Sequence, residues 1–147
     1  MLCGGAGDDL LIGGNGRSLQ IGEGGADRLV GNSEDDILIA GLTSYGCDHE
    51  ALCAIFDEWT RRDRSYAQRV SNLTNGGGLN GNVTLNARTV FDDGAADLLT
   101  GSAGLDWFFA GANDKITDKH PTEIITTTDS LATLAIGVSK RRSIIDV

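Results

Sequence analysis

A nine-residue period constrains this chain more than any other feature. Set out in nines from Gly4, it reads G-G-A-G-D-D-L-L-I (4–12), G-G-N-G-R-S-L-Q-I (13–21), G-E-G-G-A-D-R-L-V (22–30) and G-N-S-E-D-D-I-L-I (31–39). The period lapses, then returns as D-D-G-A-A-D-L-L-T (92–100) and G-S-A-G-L-D-W-F-F (101–109), followed by a unit, 110–118, that is one residue short before its Asp114. Asp9, Asp27, Asp36, Asp97 and Asp106 share one phase of the period, and Ser18 breaks it. A unit this short cannot bury its own apolar side chains, so it has to stack on copies of itself.

Each part of the unit has a physical reading. Early glycines such as Gly4, Gly7, Gly22, Gly31, Gly101 and Gly104 let the backbone curl and turn carbonyl oxygens inward. The Asp that follows adds a carboxylate. An all-oxygen set of six to eight ligands is what Ca2+ takes, whereas Zn2+ and copper favour nitrogen and sulfur. The last three residues form a short strand whose middle side chain faces a core. Two units make one turn of a coil, so equivalent turns lie about 4.8 Å apart every second unit. Carboxylates at that spacing repel one another by about 1 kcal/mol even in water, and a divalent cation between them reverses the sign. On this register Asp9 pairs with Asp27, Asp97 with Asp114, and Asp36 with Asp106 across the gap.

The motif resembles the nonapeptide G-G-x-G-x-D-x-U-x of the RTX, or hemolysin-type, calcium-binding repeat proteins. The likeness covers about 63 of the 147 residues, in two blocks. It implies a parallel β-roll that binds several Ca2+ ions between successive turns and folds when it meets extracellular calcium. It also implies a secreted, extracellular protein exported by a non-classical route. Departures at Ser18, Gln20, Glu23 and Glu34 weaken individual sites, and the second unit, lacking both Asp and apolar plug, is the poorest.

Composition agrees. Glycine is 21 of 147 residues and proline 1, which excludes collagen and proline-rich linkers. The 16 Asp against 5 Glu point to turns and oxygen ligation rather than helices. The net charge of −9 falls in two blocks: residues 1–40 and 92–123 each carry −5, while 41–91 carry 0 and 124–147 carry +1. Such a chain repels nucleic acid and anionic lipid and attracts small cations. No apolar run suffices for a transmembrane segment, and the N-terminus lacks the pattern of a secretory signal.

Between the blocks the period becomes helical. Leu52, Ile55, Phe56 and Trp59 form one stripe behind a capping Asp48, and S-Y-A-Q from Ser65 is a capping box for a second helix burying Tyr66, Val70 and Leu73. Val83–Leu85 and Thr89–Phe91 are expected as return strands. The even-numbered units carry flanking apolar residues Leu19, Ile21, Ile37, Ile39, Trp107 and Phe109, and the Leu52/Trp59 helix is the nearest cover for that face. Cys3, Cys47 and Cys53 are too few for a disulfide scaffold and are read as thiols, with a zinc site at Cys47-x5-Cys53 and His49 as the weaker alternative.

Neither a zinc-protease helix, a G-x-S-x-G elbow nor a phosphate-binding loop occurs, so no catalytic residues and no enzymatic activity are expected. The expectation is one mainly β structural domain, a parallel β-roll with a helical insertion: repeats 4–39, excursion 41–91, repeats 92–118 and a tail, 119–147, outside the repeat. Upstream domains of a longer chain are expected, this being its C-terminal part, and the tail with Lys140, Arg141 and Arg142 is comparable to an export segment. The alternative is an adhesion or ligand-binding module for a protein or carbohydrate partner, or an accessory domain of a secreted hydrolase, in which calcium is only structural.

Overall fold

In the computed structural model, described for residues 1–130, the chain is mainly β, with parallel strands in two sheets and two helices. The strands are β1 (Leu2–Cys3), β2 (Leu10–Ile12), β3 (Leu19–Ile21), β4 (Arg28–Asn32), β5 (Ile37–Ile39), β6 (Leu42–Thr43), β7 (Val90–Phe91), β8 (Leu98–Ser102), β9 (Trp107–Ala110), β10 (Lys115–Ile116) and β11 (Ile124–Thr127). The helices are α1 (His49–Trp59) and α2 (Tyr66–Asn75). Strands β1-β3-β5-β9-β11 form one sheet and β10-β8-β4-β2 the other, so the repeats alternate between sheets. The register follows the doubled period: Leu10 lies against Arg28, Leu19 against Ile37, and Ile37 against Trp107 across the excursion. After the short unit it slips by one residue, and Lys115 meets Leu98.

Two apolar clusters hold these layers. Leu29 and Leu99 of one sheet meet Leu38 and Phe108 of the other, all 0% exposed, as the middle residues of their strands should. Gln20, also fully buried, takes that place in the second unit, and its Nε2 donates to Val30 O (2.8 Å) on the facing sheet. The second cluster lies on the opposite face of the five-stranded sheet, where Leu19, Ile21, Ile37, Ile39, Trp107 and Phe109 are covered by Leu52, Ile55, Trp59, Val70 and Leu73. Trp59 stands 6.2 Å from Trp107. The outer face of the four-stranded sheet stays open, with Leu10 60% and Ile12 54% exposed.

Local chemistry explains the excursion. Asp48 Oδ1 accepts from the N–H groups of Glu50 and Ala51 and starts α1; Ser65 and Gln68 form the reciprocal capping box that starts α2. Arg69 of α2, which the sequence reading left aside, is 2% exposed, with its guanidinium carbon 4.5 Å from the Trp59 ring centre. Glu58 is fully buried as well. Burial opposes its charge, but the Leu79 N–H, Arg61 and Asn72 hold its carboxyl below the usual range.

Three expectations need correction. Val83–Leu85 is not a strand; Leu73 O accepts from the Leu85 N–H and draws it into the helical core, and only Val90–Phe91 pairs, antiparallel with β6. The tail does not begin at 119, because β11 extends the five-stranded sheet against β9. Finally, Cys3 and Cys47 are not thiols but form a disulfide, tying β1 to the segment before α1, and Cys53 remains free. Counting cysteines could not reveal this, since a single bridge depends on which loops the fold brings together. The basic cluster of 140–142 and the proposed export segment lie outside the described residues.

The disulfide spans 44 residues of sequence, and closing a loop of that size restricts the unfolded chain. Replacing Cys3 and Cys47 together by Ser should lower unfolding free energy by about 2–4 kcal/mol, measured by urea titration.

Candidate metal centre

The turns that connect the sheets stack in two columns, one at each end of the strands. The first holds Asp9, Asp27, Asp97 and Asp114; the second holds Ser18, Asp36, Asp106 and Glu123. Within each column one side-chain oxygen reaches the backbone of the turn before it. Asp27 Oδ1 accepts from the Asp9 N–H (2.8 Å), Asp97 Oδ1 from Asp27 (2.6 Å), and Asp114 Oδ1 from Asp97 (2.9 Å). In the second column Asp36 Oδ1 accepts from both the N–H and the hydroxyl of Ser18 (2.7 Å each), and Asp106 Oδ1 from Asp36 (2.8 Å). Glu123 Oε1 ends the series on the Asp106 N–H (3.3 Å). The pairings expected for Asp9 with Asp27, Asp36 with Asp106 and Asp97 with Asp114 are therefore side-chain-to-backbone contacts, and Asp27 with Asp97 completes the first column.

The other oxygen of these carboxylates has a different fate. Asp9 Oδ2, Asp27 Oδ2, Asp36 Oδ2, Asp97 Oδ2 and Asp106 Oδ2 are buried with no hydrogen-bond partner, as is Asp92 Oδ1. Five orphaned acceptors at one phase of a repeat are costly, because a buried unpaired carboxylate oxygen loses its water and gains nothing. At Asp9, Asp27, Asp36 and Asp106 the glycine that opens the unit makes the space. A Cβ on Gly4 would lie 2.8 Å from Asp9 Oδ2 and 2.7 Å from Gly22 O, and one on Gly22 would meet Asp27 Oδ2 and Ala40 O. At Gly31 and Gly101 a Cβ would collide with Asp36 and Asp106 in the same way. Gly7 and Gly104 serve another purpose, holding φ of +102° and +107° in the turns. Glu23, Glu34 and Ser102 adopt the left-handed region without being glycine, which costs about 1–2 kcal/mol each.

Electrostatics follows from enclosure without counter-charge. Burial pushes the Asp27 carboxyl up to about 6 and Asp36 to about 7. Burial likewise takes Asp97 and Asp106 to about 8, with Asp114 and Asp36 respectively adding repulsion. Asp92 is raised for the same reasons, burial first and then Asp114. The aspartates thus fit the chemistry of a hard cation, but they do not converge as a carboxylate cage. Among the described residues the one cluster of three ligand atoms of His, Cys, Asp or Glu within 4.8 Å of one another is Cys3, Glu23 and Cys47, whose sulfurs are bonded to each other. An ion in either column would need main-chain carbonyls to complete its shell. The zinc reading at Cys47 fails for the same reason, although Cys53 Sγ lies 3.5 Å from His49 Nε2.

Sequence reading missed Glu123, and it took Asp92 only as half of the carboxylate pair Asp92-Asp93 in the metal-binding repeats. Glu123 stands nine residues after Asp114, so the period itself carried the signal, hidden because Glu replaces Asp. Asp92 occupies the place of the opening glycine in its unit, and the space beside its carboxylate is provided by Gly111. Comparisons with protein-family models, curated proteins and solved structures find no match to this chain. None of the described helices is long and apolar enough to cross a membrane.

Proposed function

We propose that this chain is a calcium-binding parallel β-roll whose turn columns take up Ca2+ from an extracellular medium and couple that uptake to folding. The observation that carries the reading is the set of five buried, unpartnered Oδ2 atoms, one each on Asp9, Asp27, Asp36, Asp97 and Asp106. Strands alternating between two parallel sheets at the doubled nine-residue register support the roll. When bound, a calcium ion would supply the positive charge that the stacked carboxylates lack. The chain's own residues do the rest: opening glycines leave room, backbone N–H groups fix Oδ1, and Oδ2 is left to ligate. Weak, all-oxygen sites of this type fill at about 0.1–1 mM calcium, the range of extracellular modules, and stay empty in cytosol. The Cys3–Cys47 disulfide supports the same compartment, since such bonds persist where the medium is oxidising.

Equilibrium dialysis against calcium tests the proposal. More than one ion per chain should be retained at about 1 mM Ca2+ in the presence of excess Mg2+, which demands a tighter octahedron. A chain that retains no calcium, or exchanges it fully for Mg2+, has no such sites.

A further inference from the structure

The two turn columns are chemically unequal, and the difference lies in what the excursion places against them. Beside the first column stand Asp8, Asp92 and Asp93, and no ion pair among the described residues reaches any of these or Asp9, Asp27, Asp97 and Asp114. Asp27 and Asp97 are each 2% exposed, and their Oδ2 atoms are orphaned, as are Asp9 Oδ2 and Asp92 Oδ1. Four acceptors there have no donor among the described residues.

The second column is furnished differently. Its first rung, Ser18, is a hydroxyl donor, whereas the last rungs are alike: Glu123 uses both oxygens on the N–H groups of Asp106 and His120, as Asp114 does on those of Asp97 and Gly111. Arg69 Nη2 lies 2.6 Å from Asp35 Oδ2, Arg62 Nη2 2.8 Å from Glu34, and Arg17 within 3.9 Å of both acids. The excursion also donates to main-chain oxygens here, Trp59 Nε1 to Asp35 O (2.9 Å) and the Tyr66 hydroxyl to Asp106 O (2.6 Å), whereas in the first column, among the described residues, Asp9 O, Asp27 O and Asp97 O accept only from N–H groups of the next strand. The same hydroxyl accepts from the Ile124 N–H, so it is built into the ladder rather than resting on it.

We infer that cation uptake is confined to the column of Asp9, Asp27, Asp97 and Asp114, because at the opposite end the excursion closes over the turns, with Arg17, Arg62 and Arg69 paired to the neighbouring Glu34 and Asp35 and with Trp59 and Tyr66 donating to main-chain oxygens. This rests on the calcium reading above and narrows it. Calcium requires six to eight oxygens, and the second column offers two free carboxylate oxygens beneath a lid of donors and guanidinium groups.

The test compares calcium stoichiometry in two double variants of the full chain by isothermal titration. Asn keeps the Oδ1 acceptor for the backbone while removing the charge. Asp27→Asn with Asp97→Asn should abolish most of the bound calcium, whereas Asp36→Asn with Asp106→Asn should leave the ion count of the parent unchanged. Equal losses in both variants, or loss in the second alone, overturn the inference while leaving calcium binding intact. A parent that binds no calcium overturns the calcium reading itself. A readout without substitutions uses Tb3+ in place of calcium. Trp59 and Trp107 both flank the second column, so bound terbium should be detectable by direct excitation, with little enhancement through tryptophan. Strong tryptophan-sensitised emission places the ion at the wrong end.

Discussion

Stripped of divalent cations, the protein should become more stable as the pH falls from about 8 toward about 4. The folded-state carboxyls of Asp27, Asp36, Asp97 and Asp106 lie at about 6, 7, 8 and 8, well above the ordinary aspartate value. A group raised in this way binds its proton more tightly folded than unfolded. Its contribution is fully present below the unfolded value and is lost as the pH rises through the folded one. All four displacements act in the same direction, so their contributions reinforce one another. At Asp27 and Asp97 calcium opposes this dependence, because it binds the ionised carboxylates and competes with protons. In urea titrations at pH 5 and pH 8, calcium should raise the midpoint over that in chelator more at pH 8 than at pH 5. A chelated protein equally stable at both values would mean that these carboxylates are not buried uncompensated.

Trp59→Ala should cost about 3–5 kcal/mol. Trp59 is 0% exposed, touches Trp107 and Tyr66 at ring-centre distances of 6.2 and 5.9 Å, and carries Arg69 over its face. Its indole N–H also closes the turn at Asp35. Removing it opens a cavity between sheet and helices and frees a buried guanidinium from its platform. Chemical denaturation measures the loss. The emission of Trp59 in a Trp107→Phe protein provides the check on docking: it should be blue-shifted, and a red, water-exposed spectrum would mean that α1 does not cover the sheet.

Much of this arrangement was legible in the sequence, for a reason specific to repeats. A fixed phase of nine sets strand, turn and register together, so Ile37 opposite Trp107 could be read across an insertion of some fifty residues. The helical stripe Leu52, Ile55, Phe56 and Trp59 and the even-unit residues each lacked partners, and they found one another. What the sequence withheld depends on contacts that no period encodes. The Cys3–Cys47 bond needs the excursion to begin beside β1. Arg69 belongs to no period or motif, and only the packing of α2 places it over Trp59 and beside Asp35. Glu123 kept the phase and changed the residue, and with it β11 was mistaken for tail.

Thermal unfolding followed by far-ultraviolet circular dichroism at pH 7.5, in chelator and in about 5 mM Ca2+, tests the central claim most directly. Calcium should raise the β signal and lift the midpoint by at least about 10 °C, with Mg2+ at the same concentration giving little of either. Identical spectra and midpoints in chelator and in calcium would contradict the account, leaving the aspartate columns as hydrogen-bonded turns that need no metal.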